Sequence, residues 1–284
     1  MNKQFWQSLR ATDYKIPTGF NISELTEELK GYLGSTDPVL RDEIAFPTIC
    51  EWMDRDYYSK EEMKQLMKEM MLNLKSGLGE RETDTVFLRS FSVLILMGIV
   101  EYDNERQILG KEDVHTLLKN AVEYFNHEHD LRGYVPEKGW AHSTAHAADL
   151  LGSLARNRRM EEMDLQHILM TIQNKLMQKV NHTYAAAEDE RLAFAVFSLL
   201  RRELVELSFV EQWLRRFSTF HGNKWLDHLD TDGGGSAYTN TKGFLRSLYF
   251  QILLNEDSFK AADECLSILI KTVKDINSWV YELD

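Results

Sequence analysis

Apolar residues recur at helical spacing along nearly the whole chain, and this constrains the fold more than any other feature. Met63, Leu66, Met67, Met70, Met71 and Leu74 fall at i, i+3, i+4, i+7, i+8 and i+11, which places them on one side of an amphipathic helix. The same period runs through Leu117, Leu118, Ala121, Val122 and Phe125, and through Ile168, Leu169, Ile172, Leu176 and Val180. It returns in Leu266, Leu269, Ile270, Val273, Ile276 and Val280. No comparable stretch alternates with period two, so strands are expected to be few or absent. Four prolines and fifteen glycines in 284 residues leave little material for a turn-dense β architecture.

Helix boundaries are written into the same text. Ser59-Lys60-Glu61-Glu62 pairs a Ser cap with acids in the first turn, and Asn21-Ile22-Ser23-Glu24 and Thr36-Asp37-Pro38 are similar starts. Breaks are marked by Gly77-Leu78-Gly79, Asp103-Asn104, Gly110, the Gly133–Gly139 stretch, Asn157, Asn181 and Gly233-Gly234-Gly235. Helices of ordinary length between such breaks number roughly ten or eleven, with short connections. The expected fold is all-α, a HEAT-like α-solenoid or α/α stack of antiparallel helix pairs, formed as one domain over residues 1–284.

Charge and composition exclude some classes of function. The formal net charge of −12 argues against nucleic acid and against an anionic membrane surface. Cys50 and Cys265 sit far apart in apolar surroundings, as small core residues of a reducing compartment. The first residues lack the apolar run of a secretory leader, and the apolar tract Phe91–Val100 is short for a bilayer span and reads as a buried central helix. These features give the expectation of a soluble cytoplasmic protein, in which the Asn-x-Ser/Thr triplets at Asn21 and Asn181 are accidental.

Chemistry concentrates in three polar blocks. The first runs from Arg132 to Asp149, a Gly- and Pro-broken loop leading into a helix that carries His142, His146 and Asp149. Histidines at i and i+4 are half of a familiar metal-binding arrangement. The residues between them are Ser-Thr-Ala, without the general-base Glu of a zinc protease. Asp149 stands about 10 Å along the axis from His142 at ~1.5 Å per residue, which suits it to orienting His146 from behind. A third ligand would come from elsewhere, with His182, Asp189, His221 and His228 as candidates. The alternative is structural: Ala141, Ala145, Ala148 and Gly152 form a small-residue seam that the histidines would flank. In the loop, Tyr134 and Trp140 supply flat surfaces and Arg132 and Lys138 could recognise an anion or a carboxylate, or the aromatics plug an apolar gap.

The second block, Glu188-Asp189-Glu190-Arg191, has acids where a helix dipole favours them, with Arg191 placed to pair with a buried carboxylate such as Asp149. In the third, Lys242, Arg246 and Tyr249 share a helical face suited to a phosphate or carboxylate near a helix start. The preceding Asp230-Thr231-Asp232-Gly233 fails as a calcium loop because Thr241 occupies the twelfth position, and the glycines lack the ending of a P-loop, so they read as a flexible turn.

The block Arg132 to Leu151, with Glu188 to Leu192 and Phe244 to Phe250, resembles the pattern of a bacterial domain-of-unknown-function family, DUF 2785. The resemblance implies a bacterial origin, carries no activity with it, and groups the three blocks. The leading functional expectation is a binding module with one polar pocket for a small anionic ligand or peptide terminus, lined by Tyr134, Trp140, His142, His146, Asp149, Asp189, Arg191 and Arg246. An alternative is a metal-dependent hydrolase, with His142 and His146 holding zinc or another divalent ion and Glu190 or Asp189 as base. A second alternative is a protein-interaction scaffold.

Overall fold

The computed structural model describes residues 1–281 and is mostly helical. The chain divides into two compact units, Met1–Leu150 and a second beginning at Leu151, and the division falls inside a helix rather than in a linker.

The first unit contains α1 (Lys3–Ala11), α2 (Ile22–Tyr32), a π-helical segment (Val39–Ala45), α3 (Phe46–Asp54), α4 (Lys60–Asn73), α5 (Thr85–Arg106) and α6 (Lys111–His127). A two-residue-per-strand hairpin follows, β1 (Tyr134–Val135) antiparallel to β2 (Gly139–Trp140), and leads into α7 (Ser143–Arg156). Helix α4 begins as its sequence dictates: Ser59 Oγ accepts from the Glu62 amide at 3.2 Å while Glu62 Oε2 accepts from the Ser59 amide at 2.8 Å. Its Met and Leu stripe is buried, and α4 packs on α5. Asn21 caps α2 by accepting from the Ser23 amide.

Helix α5 is the centre of this unit. The apolar tract extends in both directions to a 22-residue helix, long and apolar enough to cross a membrane, but 67% of its most apolar window is buried against the protein. Helices α3 and α4 cover it. Its polar positions are satisfied internally. Arg89, fully buried, forms a two-bonded pair with Glu128 (2.6 and 3.0 Å) and donates to the Ser76 carbonyl.

The second unit contains α8 (Glu162–Leu176), α9 (Glu188–Leu200), α10 (Leu207–Arg215), α11 (Gly234–Leu253), α12 (Ala262–Ile276) and α13 (Ser278–Tyr281). The α9–α11 packing is the most extensive; α12 lies against α10 and α11, and α8 against α9 and α11. The all-α expectation holds, with thirteen α-helices among the described residues rather than ten or eleven, because short helices such as α13 carry too little periodicity to be read.

Of the triple glycine, read as a turn, Gly233 ends the turn while Gly234 and Gly235 already belong to α11. Gly233 adopts φ +70°, and a Cβ there would meet the Val180 amide nitrogen at 2.6 Å; one on Gly234 would lie 1.9 Å from the His228 carbonyl oxygen. These glycines allow close backbone approach at the start of α11.

Candidate functional site

The first polar block is shaped by its hairpin. Val135-Pro136-Glu137-Lys138 forms a turn with the Lys138 amide donating to the Val135 carbonyl at 3.1 Å, and Glu137 takes φ +65°, as the third residue of a type II turn must. Pro136 pre-sets the preceding residue. Gly139 follows at φ +79°, and a Cβ there would meet Pro38 at 2.8 Å and Arg41 Nη2 at 3.0 Å. The hairpin thus sits directly on the π-helical segment. Arg41, fully buried, donates to the Lys138 carbonyl at 2.7 Å and lies 4.1 Å from the centre of the Phe87 ring. Its Nε is 2.7 Å from Asp42 Oδ1, an ion pair without hydrogen-bond alignment. Burial pushes the Asp42 carboxyl up, against the pull of Arg41 and of the Trp140 backbone N–H.

His142 is not on the helix face where its spacing puts it. Helix α7 begins at Ser143, and His142 precedes it at φ +50°, a left-handed conformation costly for a residue with a Cβ. Its amide donates to the Arg132 carbonyl at 3.0 Å and its carbonyl accepts the first helical bond, from His146. A run of rings leads inward from this point. Tyr134 meets Trp140 edge-on at 5.2 Å, Trp140 stacks on His142 at 4.6 Å, His142 meets His146 at 5.5 Å, and His146 meets Phe91 at 5.4 Å. Tyr134 and Trp140 are 60% and 41% exposed, whereas both histidines are buried.

His146 is held at its Nδ1 by Ser90. Ser90 Oγ donates to the Ala141 carbonyl and lies 2.7 Å from His146 Nδ1. A carbonyl only accepts, so the single Ser90 proton is committed and Nδ1–H must donate to Oγ. The neutral ring therefore carries its lone pair on Nε2.

The loop cations are engaged with carboxylates. Arg132 grips Asp130 through two bonds (2.8 and 2.6 Å), and Lys138 Nζ lies 2.6 Å from Asp84. Arg132 and Lys138, expected to recognise an anion or a carboxylate, thus hold carboxylates of the chain itself. Among the described residues no group of three or more His, Cys, Asp or Glu side chains is placed to hold a metal ion.

In the second unit, Asp189 Oδ2 accepts from Ser247 Oγ at 3.1 Å and sits so close to Gly243 that a Cβ would lie 2.8 Å from it. Asp189 is thus part of the α9–α11 seam. Glu188 closes its own helix start by accepting from the Ala186 amide at 2.8 Å. Asp149 and Arg191, both half-buried, belong to the first and second units respectively. Lys242 lies over the Tyr238 ring at 4.4 Å.

Arg246 is separate from these. It is exposed on α11, more than three turns from the helix start, and donates to the Tyr281 hydroxyl at 3.3 Å. Arg246 is thus not near the start of α11, where the shared face of Lys242, Arg246 and Tyr249 was expected. Arg246 borders a cavity of about 200 Å³ between α11 and α12, with Tyr249, Phe250, Ile270, Val273, Lys274 and Tyr281 as its other walls. Among the described residues neither Arg246 nor Lys274 has a carboxylate partner. Ile270 and Val280 were expected in the core from their spacing, but they are 43% and 42% exposed. Leu266, Leu269 and Ile276 complete the buried stripe without them. The apolar stripe of α12 is wider than its core contact needs, and that surplus was the one sequence signal for this cavity.

The description "Protein of unknown function (DUF2785)" matches residues 74–250. The chain belongs to this family. The matched span contains the hairpin, the Ser90–His146 pair and Arg246, while Ile270, Lys274 and Tyr281 lie beyond it. No curated protein and no solved structure matches the chain.

Proposed function

We propose that this protein is a ligand-binding module for small anions, with the cavity between α11 and α12 as its binding site. One observation carries the reading: Arg246 and Lys274 flank an open apolar cavity without carboxylate partners among the described residues, in a chain of net charge −12. Acidic proteins have many carboxylates with which to pair a surface cation, and the loop cations Arg132 and Lys138 are so paired. Two cations left over at one concavity are placed for a charge brought from outside. The packed series α9, α11 and α12 fits HEAT-like stacking and gives the cavity rigid walls.

The test is calorimetric titration of sodium benzoate into the wild type and into Arg246→Gln and Lys274→Gln. Saturable binding that weakens at least tenfold in Arg246→Gln, and weakens with added salt, is the expected result. Binding unchanged in both variants, or no saturable binding of benzoate, acetate or phosphate, contradicts the proposal.

A further inference from the structure

We infer that the ligand of the Arg246 cavity is a monocarboxylate with an apolar body about the size of one ring, an inference that rests on the anion-binding reading above. Three features of the cavity select this class.

The first is the kind of positive charge available. Phosphate groups are typically held by several backbone N–H groups at a helix N-terminus together with cationic side chains. Arg246 lies far from the start of α11, which begins at Gly234, and Lys274 stands in the last turn of α12, where the helix dipole is negative. No helix N-terminus is on offer at either residue. What remains is one planar guanidinium, suited to a two-oxygen carboxylate, and one ammonium.

The second is the wall. Tyr249, Phe250, Ile270 and Val273 present rings and branched aliphatic carbon to the cavity, and Phe250 is 57% exposed. A hydrated inorganic anion gains nothing from such a surface, whereas an apolar body covers it and removes it from water. A volume of about 200 Å³ lies below the usual range for drug-sized ligands, so the body is small.

The third is Tyr281. Its hydroxyl oxygen accepts from Arg246, which leaves the phenol proton as a donor. The hydrogen bond from Arg246, opposed by burial and aided by Lys242, holds this phenol below its usual range. A polarised hydroxyl beside a guanidinium is a second contact for a carboxylate oxygen.

A free organic acid and the C-terminus of a peptide ending in an apolar residue share this chemistry. Four of the wall and rim residues, Ile270, Val273, Lys274 and Tyr281, lie outside the family match, so the class is read from this chain alone.

The experiment is a calorimetric panel on the full chain with phenylacetate, its neutral amide phenylacetamide, acetate, inorganic phosphate and N-acetylphenylalanine. Phenylacetate should bind at least tenfold more tightly than phenylacetamide, acetate or phosphate, and Phe250→Ala should weaken phenylacetate without changing the affinity for acetate. N-acetylphenylalanine binding as well as phenylacetate identifies a peptide terminus as the source, and its exclusion identifies a free acid. Phosphate binding as tightly as phenylacetate, with both lost in Arg246→Gln, overturns the carboxylate class and leaves the anion module standing. Phenylacetamide binding as tightly as phenylacetate overturns both. Phe250 is largely exposed, so its truncation leaves folding intact, and matched thermal unfolding of the two proteins checks this.

Discussion

Ser90 holds His146 in a single tautomer: its one proton goes to the Ala141 carbonyl, and its oxygen accepts from His146 Nδ1 at 2.7 Å. A hydroxyl buried in the long apolar helix α5 thereby joins that helix to the loop before α7. Ser90→Ala would leave the Ala141 carbonyl and the Nδ1–H short of a partner. The expected cost is about 2–4 kcal/mol for two buried groups, measured by urea unfolding. Long-range proton–nitrogen correlation spectra of the wild type should show the His146 proton on Nδ1. A neutral ring protonated on Nε2 would refute the assignment.

His142 gives a reversal of the usual helix-end preference. Glycine normally costs more stability than alanine because it frees the unfolded chain. At φ +50° the order should invert, since only glycine adopts that backbone without penalty. Both variants lose the Trp140 stack, so their difference isolates the backbone. His142→Gly should be more stable than His142→Ala by about 1 kcal/mol, and alanine equal to or above glycine would show that the backbone carries no strain.

Asp113 predicts a pH dependence. Burial raises its pKa, but the hydrogen bonds from Lys64 and the Gly110 amide outweigh this and hold the carboxyl below its ordinary value. A carboxylate depressed in the folded state adds stability above its unfolded value, and that contribution is lost as pH falls through the folded one. Asp113→Asn should therefore be less stable than wild type by about 0.5–1 kcal/mol at neutral pH. The two unfolding curves should converge as pH drops below about 4. A gap that stays constant down to pH 2 would assign the loss to packing instead.

Much of the helical architecture was legible because a 3.6-residue period leaves a direct mark: the Met63–Leu74 stripe and the Ser59 cap appear as written. The hairpin was not read, because two-residue strands have no period; its signals were Pro136 before a residue forced to positive φ and Gly139 beyond it. The three polar blocks were legible as polar, but partners distant in sequence decide what each does. Arg132 and Lys138 looked available until Asp130 and Asp84 were placed beside them. Ser90 was hidden as one hydroxyl in an apolar run. The α11–α12 cavity was hidden for the opposite reason. Its wall residues Ile270 and Val273 continue an apolar stripe, and period alone does not separate a stripe that is covered from one wider than its cover.

The most direct test is a crystal of the protein soaked with 4-bromophenylacetate and measured at the bromine absorption edge. One anomalous peak is expected against Phe250 and Ile270, with the carboxylate within about 3 Å of the Arg246 guanidinium. A bromine peak elsewhere, with the Arg246 cavity empty at the same concentration, would contradict it.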